Sequence, residues 1–294
     1  LAVRTASVKS AWEQYTEQGG RLEVSAGRNV VAPATSELFG NWLLHTGPSA
    51  GSVTWWTAFD SFRQGLGSMG GGNLRVVAGN DIRNVGVAST TTGRTVQDPT
   101  TKAFSQVVSN GGDVLVRAGN NVSGGAYLLS RGLGAIEAGG SITTGDTYTD
   151  ANNIPKMGLI LGLMDGQWAV RANGDVAMTA VYNPTIVSGQ TVAPTAGKAR
   201  VDANMAASYF TYGSDAGLSI ASTAGDINWR SPGTSATSLG DALNKLMTVY
   251  VPTAEKLVIS SSRGAQHATW WGLLTPPSLA LNAASGDVNL AVAN

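Results

Sequence analysis

A short alternation of apolar and polar residues recurs along the chain, and each copy ends at a corner that contains glycine. In one copy the alternation places Leu74, Val76 and Ala78 toward an interior, because successive strand residues point to opposite faces. Arg75 and Val77 then point outward. The pattern therefore predicts β-strands with one buried face. Its regular copies cover residues 22–30, 74–82, 114–122 and 135–142.

The spacing between copies predicts that the strands are stacked. Val76 and Val116 are 40 residues apart, and Val116 and Ile136 are 20 apart. A unit of about 20 residues is typical of one turn of a solenoid, whose strands pair in parallel with those of the next turn. We therefore predict an all-β fold, a parallel solenoid of roughly ten coils, with these three side chains in one inward column.

The corners combine glycine with small polar residues. We expect Gly79 and Gly119 to adopt the positive φ that a tight bend requires. In the stacked register, Asp81, Asn121 and Ser141 would form a polar and mostly uncharged column. Later corners repeat the motif at spacings of 51 and 61 residues, which predicts insertions between coils. These corners are Gly174-Asp175, Gly225-Asp226 and Gly286-Asp287.

Two stretches have helical rather than strand periodicity. Val8, Trp12 and Tyr15 recur at helical spacing, so a helical decoration is predicted within residues 1–19. Residues 238–250 carry a similar pattern and are predicted to form a helical insertion. The predicted solenoid therefore has short helical additions.

Loops and domain organisation follow from composition along the chain. Residues 90–101 and 187–198 are rich in Pro, Gly and Thr and are predicted to be loops that project from corners. We find no linker sharp enough to divide the chain, so residues 1–294 are treated as a single β-helical segment. Both ends are expected to be internal positions of a larger protein.

Composition narrows the classes of function. The formal net charge is +0 and 13% of the residues are charged, which argues against nucleic acid and anionic lipid as partners. The chain has no cysteine and two histidines, His45 and His267, so no metal or other cofactor is predicted. No apolar run approaches the roughly 18 residues of a membrane helix, so membrane insertion is not expected either.

Several motifs resemble the large exoproteins of the filamentous haemagglutinin family. They include Trp55-Trp56, followed by Phe62-Arg63-Gln64-Gly65 and Gly70-Gly71-Gly72-Asn73-Leu74. A second set is Phe210-Thr211-Tyr212-Gly213, followed by Ala224-Gly225-Asp226-Ile227. The resemblance covers roughly residues 20–292 and rests on degenerate structural repeats.

The resemblance has implications for fold, export and role. It implies a right-handed parallel β-helix and export by two-partner secretion, with an outer-membrane secretion pore as partner. It implies an extracellular or bacterial cell-surface location. It also implies that the segment is a non-catalytic structural stalk or filament of an adhesin or of a toxin-presenting protein.

An enzyme is one alternative, because parallel β-helices include polysaccharide lyases and hydrolases. Such sites need carboxylates that converge on one face. In register, Asp81 stacks with amide and hydroxyl side chains, and Asp113 stacks with Asn73 and Leu133, so no carboxylate cluster is predicted. Residues 65–70 match G-x-G-x-x-G but lack the preceding strand and following helix of a dinucleotide site. We therefore predict no catalytic residue.

Two tryptophan pairs are the candidate binding residues. In Trp55-Trp56 and Trp270-Trp271, one ring of each pair would face outward if the residues lie on strands. Outward rings would stack on the sugar rings of host or matrix glycans. The other interpretation is that the rings fill the interior of wide coils. Glycan binding is thus a second alternative to the stalk, and lateral self-association is a further candidate partnership.

Overall fold

The structure is a computed structural model. It describes residues 12–13, 18–33, 43–46, 55–58, 62, 65–145, 158–183, 186–188, 207–209, 212–230 and 276–291. These residues form 26 β-strands and no helix, so the described fold is all-β as predicted, and none of them belongs to a helix able to span a membrane. The predicted helical insertion at 238–250 lies outside the described residues.

In chain order the strands are β1 (Trp12–Glu13), β2 (Leu22–Ala26), β3 (Val30–Val31), β4 (Leu43–Thr46), β5 (Trp55–Ala58), β6 (Leu66–Ser68), β7 (Leu74–Ala78), β8 (Ile82–Arg83), β9 (Val87–Ser89), β10 (Thr92–Gln97), β11 (Phe104–Ser109), β12 (Val114–Ala118), β13 (Val122–Ser123), β14 (Gly125–Leu129), β15 (Leu133–Ala138), β16 (Ile142–Thr143), β17 (Leu159–Leu163), β18 (Gln167–Ala172), β19 (Val176–Met178), β20 (Ala180–Tyr182), β21 (Ile186–Ser188), β22 (Ala207–Tyr209), β23 (Gly217–Ser222), β24 (Ile227–Arg230), β25 (Ser278–Ala283) and β26 (Val288–Ala291).

The alternating strands form a parallel sheet, which we call sheet I. Its seven strands lie in the order β2-β7-β12-β15-β18-β23-β25, and all neighbouring pairs are parallel. Val116 lies in register between Val76 and Ile136, and all three side chains are buried. Exposure on β7 alternates residue by residue. The predicted inward column is therefore confirmed.

A second parallel sheet, sheet II, follows sheet I around the glycine corners. Its seven strands lie in the order β3-β8-β13-β16-β19-β24-β26. These strands are short, and the first residue of each is an aliphatic side chain that enters the same column. Of that column, Ile82, Val122, Ile142, Val176 and Ile227 are buried.

A third parallel sheet, sheet III, was not predicted. Its strands lie in the order β6-β9-β14-β17-β20. From β7 to β20 the chain passes through sheets I, II and III in that order four times. We call each such passage a circuit. The side chains of all three sheets share one buried core, to which sheet III contributes Tyr127, Leu129, Leu161 and Val181.

The circuits are fewer and longer than predicted. Seven are described, as the seven strands of sheet I show, instead of roughly ten. Equivalent residues of β12 and β15 are 20 positions apart, whereas those of β23 and β25 are 61 apart. Extra segments between sheets account for the added length. Seven strands at about 4.8 Å spacing extend about 29 Å.

Two strand pairings outside the parallel sheets correct local predictions. β10 and β11 form an antiparallel hairpin, so the loop predicted at 90–101 is wrong for Thr92–Gln97. β1 pairs antiparallel with β5 in a mixed sheet of order β1-β5-β4-β21-β22, so the helix predicted within 1–19 is wrong at Trp12–Glu13. In both cases pairing with a distant strand outweighs the local pattern. In the loop predicted at 187–198, the described part belongs to β21 (Ile186–Ser188).

Glycine is needed at the corners between sheets I and II for a reason other than the predicted one. The φ angles of Gly79, Gly119 and Gly139 lie outside the left-handed region. A Cβ added at Gly119 would instead clash with the carbonyl oxygen of Gly79, and one at Gly139 with that of Gly119. The corners stack backbone on backbone, so glycine is required for space.

Candidate functional site

The structure places one of the two predicted tryptophan pairs. Trp55 and Trp56 are adjacent in β5, where they lie opposite His45 and Leu44 of β4. Trp270 and Trp271 lie outside the described residues. The glycan-stacking surface therefore stays a prediction.

A polar ladder runs along the corners between sheets I and II. The backbone N–H of Asp81 donates to Asn29 Oδ1 at 3.1 Å, and that of Asn121 donates to Asp81 Oδ1 at 3.1 Å. The N–H of Ser141 then donates to Asn121 Oδ1 at 2.8 Å, and that of Asp175 to Ser141 Oγ at 3.1 Å. Each side chain thus accepts from the equivalent amide of the next circuit. The predicted stacking of Asp81, Asn121 and Ser141 is confirmed.

The ladder is more acidic than predicted. It continues through Asp175, Asp226 and Asp287, because the N–H of Asp226 donates to Asp175 Oδ1 and the N–H of Asp287 donates to Asp226 Oδ1, both at 2.8 Å. Three successive carboxylates therefore follow the uncharged rungs. Their tolerance has a local cause, since one oxygen of Asp175 and one of Asp226 accept a backbone amide. The described residues include no group of three His, Asp or Glu side chains suited to hold a metal ion.

A shorter ladder lies at the corner that precedes sheet I. The N–H of Asp113 donates to Asn73 Oδ1 at 2.9 Å, and the N–H of Leu133 donates to Asp113 Oδ1 at 2.9 Å. The predicted register of these three residues is confirmed. Asp113 is bound to backbone in the same way as the residues of the longer ladder, so it serves the stack.

Charges on the outer face of sheet I alternate along its columns. Arg75 pairs with Glu23 at 2.8 Å, and Glu137 lies between Arg117 at 2.7 Å and Arg171 at 3.7 Å. Each of these pairs joins neighbouring strands in register. Surface pairs of this kind contribute about 0–1 kcal/mol each. A one-residue slip of a strand would move these side chains to the core face, so the pairs favour the observed register.

The buried polar side chains bond mainly to backbone. The Tyr127 hydroxyl donates to the carbonyl of Gly124 at 3.1 Å, and burial raises the pKa of this phenol. Trp168 Nε1 donates to the carbonyl of Gly162 at 3.1 Å. A phenol held neutral against a carbonyl is a packing element. The arrangement satisfies interior polar groups and orients none of these side chains toward a substrate.

The acidic half of the ladder and the tight Gly134–Trp168 contact were missed by sequence reasoning. The ladder could have been extended, because Gly174-Asp175, Gly225-Asp226 and Gly286-Asp287 mark its later rungs. Its irregular spacing hid the register. The contact had no sequence signal, since the two residues are 34 positions apart in circuits of unequal length.

Comparison of the chain with protein-family models, with curated proteins and with solved structures found no match.

Proposed function

We propose that the chain is a non-catalytic structural segment, a right-handed parallel β-helix that acts as a stiff spacer in a secreted or cell-surface bacterial exoprotein. One observation carries the proposal. Seven strands of sheet I and seven of sheet II keep residue-on-residue register although up to 61 residues separate equivalent positions. A chain that restores one register after such interruptions is organised around the stack.

Stiffness follows from the way in which neighbouring circuits are joined. Backbone hydrogen bonds of sheets I and II, the apolar columns and the polar ladder all link each circuit to the next. Bending the stack would stretch all three kinds of contact on one side at the same time. A segment of this kind supports the role of holding other parts of a protein away from a cell surface.

The use of polar side chains supports a non-catalytic role. Asp81, Asp113 and Asp226 accept backbone amides, and Glu137 is paired with two arginines. An enzyme that cleaves polysaccharide needs an acid and a base with atoms free to reach the substrate. In the described residues these carboxylates are instead committed to strands and corners.

Location and activity can be tested separately. Antibodies raised against the purified chain should label intact, unpermeabilised cells that produce the full-length protein, or detect it in their medium. Detection only in the cytoplasm would refute the cell-surface proposal. The purified chain should leave uronate and neutral polysaccharides uncleaved. Cleavage that is lost in Asp175→Asn or Asp226→Asn would refute the non-catalytic proposal.

A further inference from the structure

The last described circuit leaves apolar side chains in solvent at one edge of the stack. β25 and β26 are the edge strands of sheets I and II among the described residues. Val288 is 42% exposed and Leu279 38%, whereas the residues one strand inward, Ile227 and Leu218, are 0% and 2% exposed. Leu290 is 58% exposed on the same edge. The edge continues the buried columns without a layer on top of them.

The ladder is also open at this edge. Six ladder side chains, from Asn29 to Asp226, each accept the N–H of the equivalent residue in the next circuit. Asp287 is the seventh, and its carboxylate accepts no such amide from the described residues. The N–H of Ile227 donates to the carbonyl of Asp287, so the backbone groups of residue 287 face inward. Because alternate strand residues face opposite neighbours, the N–H of Val288 faces the open edge.

The opposite edge of the stack presents the complementary groups. β2 and β3 are its edge strands, and the N–H of Val30 donates inward to the carbonyl of Asp81. By the same alternation, the N–H and C=O of Asn29 face away from the stack. The inward positions of this edge, Leu22, Val24 and Val30, are apolar and partly exposed.

From these two edges we propose that one copy of the chain binds a second copy head to tail. The second copy's Asn29 N–H donates to the Asp287 carboxylate of the first, and the first copy's Val288 N–H donates to the second copy's Asn29 carbonyl. The apolar columns then continue across the junction, with Leu22 over Leu279 and Val30 over Val288. This contact joins two different edges, so it does not close on itself and builds an open filament.

A difference in corner length does not prevent this pairing. Three residues join β2 to β3, and four join β25 to β26. The stack already contains such a junction, because β18 and β19 are joined by three residues and β23 and β24 by four. There the N–H of Asp226 still reaches Asp175 Oδ1 at 2.8 Å. The inference rests on the described pairing of strands and not on a cell-surface location.

The test is sedimentation velocity on the full chain over a concentration series. The wild type should form species that grow with concentration by whole copies. Asp287→Ala removes one charge-assisted hydrogen bond and should weaken association about tenfold, with the unfolding midpoint unchanged. Leu279→Lys should abolish association, whereas Ala280→Lys, its exposed neighbour in β25, should leave it intact. A wild type that stays monomeric, or association that Leu279→Lys leaves unchanged, would overturn the proposal.

Mixing two blocked variants distinguishes head-to-tail contact from any symmetric contact. Ser25→Pro removes an outward-facing amide from the β2 edge, and Ser25→Ala serves as its control. Ser25→Pro and Leu279→Lys should each be monomeric alone, yet together form a dimer and nothing larger, because each retains one intact edge. Failure to form that dimer contradicts the proposal. Binding of a peptide of residues 21–31 to a monomeric wild type would show that the edge accepts a strand but not a second copy, which also overturns it.

Discussion

At the scale of single residues, the core is filled by matching small against large side chains. Gly134 lies opposite Trp168 on the neighbouring strand of sheet I. A Cβ added at Gly134 would clash with the indole ring, which is buried and held by a bond to the carbonyl of Gly162. The flanking strands place Val114 and Leu218 in the same column. Space for the largest side chain is therefore taken from its neighbour.

We predict that Gly134→Ala lowers the free energy of unfolding by about 1–3 kcal/mol, as measured by urea denaturation, because the core is overpacked. Gly27→Ala is the matched control, since a Cβ there meets open space. Its effect should stay within about 0.5 kcal/mol. Replacing Trp168 by Leu should make Gly134→Ala much less costly. An equal cost in both backgrounds would show that the indole ring is not the cause.

At the scale of elements, the β10–β11 hairpin shows how a turn is held without a core of its own. Asp98 Oδ1 accepts the amides of Thr100 and Thr101, both at 2.7 Å. The backbone bond from Thr101, and then that from Thr100, lower the pKa of this exposed carboxyl. Both bonds favour the ionised form, because a carboxylate accepts hydrogen bonds more strongly than a neutral acid.

We predict that this turn loosens in acid. A carboxyl whose pKa is lowered in the folded state stabilises the fold above its ordinary value of 3.8, and the effect is lost as pH falls through the lowered value. The amides of Thr100 and Thr101 should therefore lose protection from hydrogen exchange below pH 3.8, measured by NMR relative to intrinsic rates. In Asp98→Asn the side-chain oxygen still accepts but does not titrate. A pH dependence that persists in this variant would rule out Asp98 as its source.

The elements also show which parts of the fold could be predicted from sequence. Sheets I and II were predictable, because each strand alternates and ends at a glycine corner. Sheet III was not, because β17 is buried along all five of its residues and has no alternation to detect. The hairpin was missed because a Thr- and Pro-rich stretch finds its partner, Phe104–Ser109, beyond the predicted loop. In the ladder, side chains bond to backbone amides, which side-chain stacking alone did not predict.

At the scale of the whole molecule, stability depends on position along the stack. Within the three parallel sheets each circuit pairs with the circuits directly before and after it, so an interior circuit has two neighbours and an edge circuit has one. Ile136 lies between Val116 and Val170, whereas Leu281 pairs with Ile220 on one side only. Opening an edge circuit breaks one interface. Opening an interior circuit breaks two and separates the stack into two shorter pieces.

This difference predicts opposite patterns for the same kind of truncation. Ile136→Ala leaves a cavity in the interior and should lower global stability by about 2–5 kcal/mol, with faster hydrogen exchange in all three sheets. Leu281→Ala should cost less and speed exchange chiefly in β25 and β26, because that circuit can open while the others stay paired. Hydrogen-exchange mass spectrometry should be run where the chain is monomeric, since a second copy would cover Leu281. If Leu281→Ala speeds exchange equally from β7 to β24, the circuits unfold as one cooperative unit, and the strength of the stack does not depend on neighbouring pairs.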